Sequence, residues 1–177
     1  YLDFLSTLPI KRVLLPDTLG VLSPKETYNY LSVIINKYPN IHFDFHAHND
    51  YDLSVSNVME SLKAGCHGLH LTINGMGERA GNAPMASVAA VVRDFLPDVK
   101  INLEEKKLYK VSALISAFTG FKIPANKPIV GENVFTQTAG IHADGDSKNN
   151  LYFNDLLPER FGRIREYALG KTSGKAN

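Results

Sequence analysis

Cysteine is almost absent, since Cys66 is the single one in 177 residues. That excludes an internal disulfide framework and suits a reducing, cytosolic setting. It also argues against a structural zinc site, which usually closes with four side chains, commonly cysteines. An excess of charge of one sign is missing too. Lys and Arg number 19 against 18 Asp and Glu, for a formal net charge of +1. A nucleic-acid or membrane-surface binder would need a clustered basic excess. No apolar run approaches the roughly 20 residues of a membrane span. There is no secretory or transit segment, no low-complexity stretch and no initiator Met. The first residues read as the middle of a helix and the last lack a terminator. The expectation is a piece of a longer cytoplasmic protein.

What is present is organised around residues 41–50, Ile-His-Phe-Asp-Phe-His-Ala-His-Asn-Asp. Read as a strand, the run alternates its side chains between two faces. Ile41, Phe43, Phe45 and Ala47 form an apolar face; His42, Asp44, His46 and His48 form the other. Two imidazoles at i and i+2, at the C-terminal end of a strand, can converge on one divalent cation. Imidazole suits zinc, and mixed nitrogen/oxygen sites also accept manganese or magnesium. The bland alternative is a pair of half-exposed polar histidines, because the motif is short.

On either side the chain alternates strand and helix. Arg12–Pro16 reads as a strand, and Ser23-Pro24-Lys25-Glu26 as a capped helix start with Tyr28, Leu31, Ile34 and Ile35 as its buried stripe. After the histidine strand, Asp52 or Ser54 opens a helix with Val55, Val58, Met59 and Leu62 inward. Gly68–Ile73 is a third strand, leading into the Gly-rich loop 74–82, and a further helix runs from Pro84 to Pro97. This order is that of parallel βαβ units. Three strands cannot close a barrel, and both sheet edges would be bare. Past residue 100 the pattern changes. Asn102 and Glu105 are expected to cap a helix of about four turns ending at Gly120. Residues 121–133 read as an extended linker, and a polar cluster from Gly140 to Asp146 precedes a short helical stretch near Leu156–Phe161. A domain boundary near residue 100 divides 1–100 from 101–177.

In a βα-barrel, chemistry sits at the C-terminal strand ends and their loops. Three successive loops here carry Asp17-Thr18, His46 to Asp50, and Asn74 to Asn82, and their joint placement on one face points to an enzyme. The glycines at 75, 77 and 81 do not fit a dinucleotide fingerprint. Glu78 and Arg79 read as a structural ion pair, and Asn82 as an amide oxygen available to a hard cation. His67 and His70 read as satisfied core or barrel-wall histidines. In the tail, Asp144 is expected to orient the ring of His142, the makeup of a general base or its relay; the alternative is a surface loop.

Four runs, Leu15-Pro-Asp-Thr-Leu-Gly20, His46-Ala-His48-Asn-Asp50, Asn74-Gly-Met-Gly-Glu-Arg-Ala-Gly-Asn82 and Gly140-Ile-His-Ala-Asp-Gly145, occur in that order. Together they resemble the 2-isopropylmalate, citramalate and homocitrate synthases of the TIM-barrel metallolyase superfamily. The tail, with Leu157-Pro-Glu-Arg-Phe-Gly162 and Gly170-Lys-Thr-Ser-Gly174, looks most like the citramalate synthase branch.

The resemblance implies an α/β fold: strands six to eight of a TIM (β/α)8 barrel, then a small, mostly helical subdomain. It implies a metal-assisted Claisen condensation of acetyl-CoA with a 2-oxo acid, in leucine or isoleucine biosynthesis. His46 and His48 match metal-binding histidines, and Asn82 a weaker metal position, for Mn2+, Mg2+ or Zn2+. Thr18 matches a residue holding the oxo-acid carboxylate. His142 and Tyr152 match catalytic tail residues near acetyl-CoA, and Asp144, Asn150 and Leu151 match positions lining its pocket. A homodimer exchanging tails between subunits is implied. The motif carrying the metal aspartate is absent from this chain, so the chain alone is expected to be inactive. A hydroxymethylglutaryl-CoA lyase-like enzyme is the rival within the superfamily.

Overall fold

The structure, a computed structural model, describes residues 1–170 and Ser173. It divides into two compact units, Tyr1–Val92 and the chain from Arg93 onward. The expected motif 170–174 falls mostly outside the described residues.

After a short helix α1 (Leu2–Leu5), the first unit runs β1 (Arg12–Asp17), α2 (Pro24–Lys37), β2 (His42–Ala47), α3 (Ser54–Lys63), β3 (Gly68–His70) and most of α4 (Met85–Phe95), whose last three residues fall in the second unit. The strands form one parallel sheet in the order β1-β2-β3, with Pro16 opposite His46 and His46 opposite His70. This is an α/β fold with an open sheet; the barrel is not closed. No helix among the described residues is long and apolar enough to cross a membrane.

Local chemistry accounts for the helix starts. Ser23 Oγ accepts from Glu26 N, and Glu26 Oε2 accepts from Ser23 N at 2.9 Å, with Pro24 at the first helical position. This reciprocal cap satisfies two of the orphan donors of α2. Its buried stripe is Thr27, Leu31 and Ile34, spaced i, i+4, i+7, whereas Tyr28 is exposed. Neither Asp52 nor Ser54 caps α3 with its side chain. Asn49 does so from the preceding loop, its Oδ1 accepting from Ser54 N at 3.2 Å and from Ser54 Oγ. Helix α3 buries Ser54, Asn57, Val58 and Ser61 rather than a fully apolar stripe. The small hydroxyls satisfy themselves locally, as Ser61 Oγ does on Val58 O, and Asn57 Nδ2 donates to Leu22 O at 2.7 Å. Buried polar groups of this kind are tolerated where they find partners; Asn57 Oδ1 is the exception, buried without a hydrogen-bond partner.

On β2 the expected alternation holds for the apolar side, with Ile41, Phe43, Phe45 and Ala47 all buried. Strand β3 is shorter than the expected Gly68–Ile73. It stops at His70, and Thr72 makes only an isolated bridge to Pro84 before Asn74 turns at φ +61°. Gly68 lies opposite Asp44, and a Cβ there would overlap the Asp44 carboxylate, so the strand begins where only glycine fits.

In the second unit a 3₁₀ turn (Glu105–Lys107) precedes α5 (Leu108–Thr119). Three turns are formed, and neither Asn102 nor Glu105 caps them. Glu105 is instead buried under Arg160, which reaches its Oε1 at 3.0 Å and Asp94 Oδ1 at 2.9 Å. Residues 121–133 are packed rather than an extended linker. Ile129 and Val130 are buried, Asn133 N donates to Ala125 O at 2.8 Å, and Arg163 donates to the Gly131 and Glu132 carbonyls. The prolines rigidify the turns of this segment without preventing its burial.

The expected polar loop from Gly140 is a helix, α6 (Gly140–Asn149), ended by Asn150 at φ +52°. Gly145 belongs to it because the Tyr152 ring lies where a Cβ would stand, 2.6 Å from Cε2. Strands β4 (Thr136–Gln137) and β5 (Glu166–Tyr167) pair in parallel, and the expected short helical stretch forms as a 3₁₀ helix, Pro158–Phe161.

Candidate functional site

Three βα loops of the first unit meet around the end of β2. In the loop after β1, Asp17 is buried and its carboxylate is used locally. Oδ1 accepts from Val21 N and Oδ2 from Leu22 N, both at 3.1 Å. Thr18, next in the chain, is exposed. The loop after β2 is tied to it where His48 N donates to Asp17 O at 3.4 Å.

His46 and His48 are brought together, their Nε2 atoms 3.3 Å apart. Two nitrogens bound to one cation at about 2.1 Å stand roughly 3 Å apart, so the pair is spaced as ligands of a single ion. Burial, then the neighbouring His48 and His70, hold the His46 pKa below its ordinary value, which favours the neutral ring a metal requires. Asn82 makes an isolated antiparallel bridge with His48. Its Nδ2 donates to Met76 O at 3.2 Å, leaving its Oδ1 buried without a hydrogen-bond partner. A buried amide oxygen in that state and two convergent imidazoles are donor types that fit a divalent cation. Among the described residues no third His, Cys, Asp or Glu joins the pair.

The other polar residues of the sheet are occupied elsewhere. His42 Nε2 lies 3.0 Å from Asp44 Oδ1 and stacks on His67, while Arg12 approaches Asp44 at 3.4 Å. Asp44 is thus a buried carboxylate ringed by cationic and imidazole donors, and His70 reaches it only at 3.7 Å. The expected Glu78–Arg79 ion pair is loose, at 3.8 Å. Arg79 reaches away from its neighbour to Asp50: Nε to Oδ1 is 2.7 Å and Nη2 to Oδ2 is 3.0 Å, with Nη2 also donating to Thr18 O at 2.8 Å. Those hydrogen bonds hold the Asp50 carboxyl below its usual range. Sequence reading missed this contact because nothing local links positions 50 and 79.

In the second unit the rings of His142 and Tyr152 lie against each other, with centroids 4.2 Å apart. Asp144 does not orient His142. On a helix, residues two apart face different sides, and Asp144 instead accepts from Lys148 at 2.6 Å, one turn on. Asp146 was not singled out, yet it is the buried hub: it accepts from Tyr152 N at 3.1 Å, from Arg165 at 3.2 Å and from Tyr167 Oη at 3.1 Å. Tyr152 lines a cleft of about 250 Å³ together with Ile129, Phe135, Gln137, Leu156 and Arg165. Asn150 ends α6 and Leu151 is exposed.

The fold and this loop site define a segment of a βα-barrel with a histidine pair at a strand's C-terminal end. Residues 4–115 match the HMGL-like family, and the chain belongs to it. Residues 129–177 match the homocitrate synthase post-HMGL domain-like family. The chain is 42% identical over 164 residues to a probable 2-isopropylmalate synthase of Ignicoccus hospitalis, covering 93% of this chain and 41% of that protein. It is 37% identical to a homocitrate synthase of Saccharolobus islandicus, covering 93% and 35%. The chain therefore spans about two-fifths of the length of these relatives. Among solved structures, the HMG-CoA lyase of Bacillus subtilis superposes with TM-score 0.61 at 21% identity, over 69% of this chain and 42% of that one. Hydroxymethylglutaryl-CoA lyase of Pseudomonas aeruginosa superposes with TM-score 0.60 at 20% identity, over 67% and 41%. These two share the fold.

Proposed function

We propose that this chain is the C-terminal barrel segment, residues 1–100, and post-barrel subdomain, residues 101–177, of an acyltransferase condensing acetyl-CoA with a 2-oxo acid. The observation that carries the reading is the 3.3 Å approach of the His46 and His48 Nε2 atoms, with the buried Asn82 oxygen left unpartnered. The products fitting best are 2-isopropylmalate from 2-oxoisovalerate or, on the tail motifs, citramalate from pyruvate. Homocitrate synthesis is the second reading, favoured by the match of residues 129–177.

In this reading His46, His48 and the Asn82 amide hold a divalent cation, Mn2+, Mg2+ or Zn2+, with an aspartate outside this chain. When bound, such an ion supplies polarisation of the keto group. Thr18 holds the oxo-acid carboxylate. His142, braced by Tyr152, takes a methyl proton from acetyl-CoA, and the resulting enolate attacks the keto carbon to form the new C–C bond. Hydrolysis of the thioester then releases CoA and makes the step irreversible. Asp144, Asn150 and Leu151 line the acetyl-CoA pocket. The tail of one subunit serves the site of another in a homodimer, reciprocally across a two-fold axis.

The test is an assay of the full-length protein for CoA release with 2-oxoisovalerate, pyruvate and 2-oxoglutarate in parallel. Release with the first or second supports the first reading, and with the third alone the homocitrate reading. Absence of release with all three, in protein shown to bind metal, rejects both.

A further inference from the structure

The Arg79 guanidinium touches two of the three loops and stands on the third. It grips both Asp50 oxygens, at 2.7 and 3.0 Å, and donates to Thr18 O at 2.8 Å. Each loop also carries one residue of the site: Thr18 after β1, His48 after β2, Asn82 after β3. An exposed ion pair is ordinarily worth little. Here the geometry is a bidentate fork plus a backbone carbonyl, an arrangement that a lysine ammonium cannot reproduce.

Two features show the surrounding backbone fitted to this contact. Arg79 sits at φ +54°, a region that side chains rarely adopt. Gly20, at φ +64°, leaves room for Asp50; a Cβ there would stand 2.5 Å from Asp50 Oδ2 and 3.0 Å from its backbone nitrogen. Glu78 competes only weakly, its ion pair with Arg79 being loose at 3.8 Å and its side chain exposed. The loops after β2 and β3 also share a backbone bond, Asn49 N to Gly81 O at 2.9 Å, and the end of β1 is held to the loop after β2 by the longer His48 N to Asp17 O bond at 3.4 Å, so the guanidinium adds a side-chain strap onto Thr18.

We propose that Arg79 is a positioning residue that pins the three loops, holding Thr18, His48 and Asn82 in one fixed arrangement. It touches none of the reacting groups itself. The consequence for oxo-acid and metal binding rests on the proposed function; the pin does not.

The test compares full-length wild type with Arg79→Met, Arg79→Lys and Gly20→Ala, with Asp50→Asn as the mildest probe should a harsher variant fail to fold. Hydrogen exchange without substrate reads the pin directly. Amides in 17–22, 48–52 and 76–82 should exchange at least tenfold faster in Arg79→Met and Gly20→Ala, while 42–47 stays unchanged. Arg79→Lys should not restore protection, and Asp50→Asn should show the same pattern in smaller measure. Mn2+ affinity by titration calorimetry should fall at least fivefold, and the oxo-acid KM should rise about tenfold with kcat within threefold. Wild-type exchange in Arg79→Met, or in Asp50→Asn if that is the variant that folds, overturns the pin, whatever the activity. Faster exchange with unchanged Mn2+ affinity and KM overturns its positioning role. If the wild type condenses none of the oxo acids, the functional reading fails, while exchange and Mn2+ affinity still decide the proposal.

Discussion

The chain uses one spacing twice with opposite results. His46 and His48 are two residues apart at the end of a strand, and their ring nitrogens converge to 3.3 Å. His142 and Asp144 are also two apart, but on α6, and Asp144 turns to Lys148. The period of a strand is two and that of a helix is 3.6. A pair at i and i+2 is therefore a binding unit in the first unit and two separate surfaces in the second. The histidine of the second unit gains its support from Tyr152, ten residues on, through ring contact rather than a carboxylate.

Removing either half of the converging pair should have the largest effect. In the full-length protein, His46→Ala or His48→Ala is expected to abolish metal-dependent turnover. The loss of metal affinity should exceed the roughly 100-fold that losing an outer partner costs. His42→Ala breaks the bond to buried Asp44 and should lower stability by about 1–3 kcal/mol while sparing metal content. Metal analysis and melting curves on the three variants check this, and retained metal in His46→Ala would dissolve the contrast.

Next comes the helical histidine. His142→Ala should lower kcat by roughly 10²–10⁴, the range for a general acid–base group, with the oxo-acid KM little changed. Mixing His142→Ala with His46→Ala subunits should restore activity if tails are exchanged. No recovery despite demonstrated subunit exchange would place both histidines in one subunit's site.

Each unit also buries carboxylates, and they are of different kinds. Asp146 satisfies Arg165, Tyr167 and the Tyr152 amide. Asp146→Ala leaves Arg165 as an uncompensated charge and should destabilise the protein by about 3–5 kcal/mol in denaturant unfolding. A loss below 1 kcal/mol would show that the hub is dispensable. In the first unit, Asp44 adds to burial in raising the Cys66 thiol to about 11. A raised acid pKa means the folded state holds its proton more tightly than the unfolded one. Stability should thus be flat below pH 9 and fall between about 9 and 11, by of order 2–3 kcal/mol. Alkylation of Cys66 at pH 8 should be about 100-fold slower than that of a free thiol. Reaction at the free-thiol rate would mean that the thiol is not shielded.

The legible parts of the molecule were those set by short-range periodicity. The parallel strand–helix order, the Ser23–Glu26 cap and the apolar face of β2 all depend on residues within a few positions of one another. The histidine convergence is of the same kind. What escaped depends on distant partners. Asn49 caps α3 from outside it, and Arg79 prefers Asp50, 29 positions away, to adjacent Glu78. Residues 121–133 looked like a linker because prolines mark turns, but burial is decided by what packs on them, here Arg163. Helix α6 was hidden by Gly140 and Gly145, which are poor helix formers. Gly145 is accepted because the Tyr152 ring takes the space of its side chain.

The smallest effect belongs to Asp144. Its ion pair with Lys148 is an i, i+4 helix pair with both side chains substantially exposed. Such pairs contribute about 0.3–0.5 kcal/mol, so Asp144→Asn should shift the melting point hardly at all. If the helix separates Asp144 from His142, then kcat and its pH profile should also match wild type. A carboxylate that oriented and charged the imidazole would behave differently, since its loss would move the acidic limb of the profile and lower kcat by tenfold or more. The acetyl-CoA KM is the one parameter expected to move, by a fewfold, if Asp144 lines that pocket. Measuring kcat and KM for acetyl-CoA from pH 6 to 9 in Asp144→Asn separates the two. A shifted acidic limb would return Asp144 to the ring of His142 and end the contrast between strand and helix.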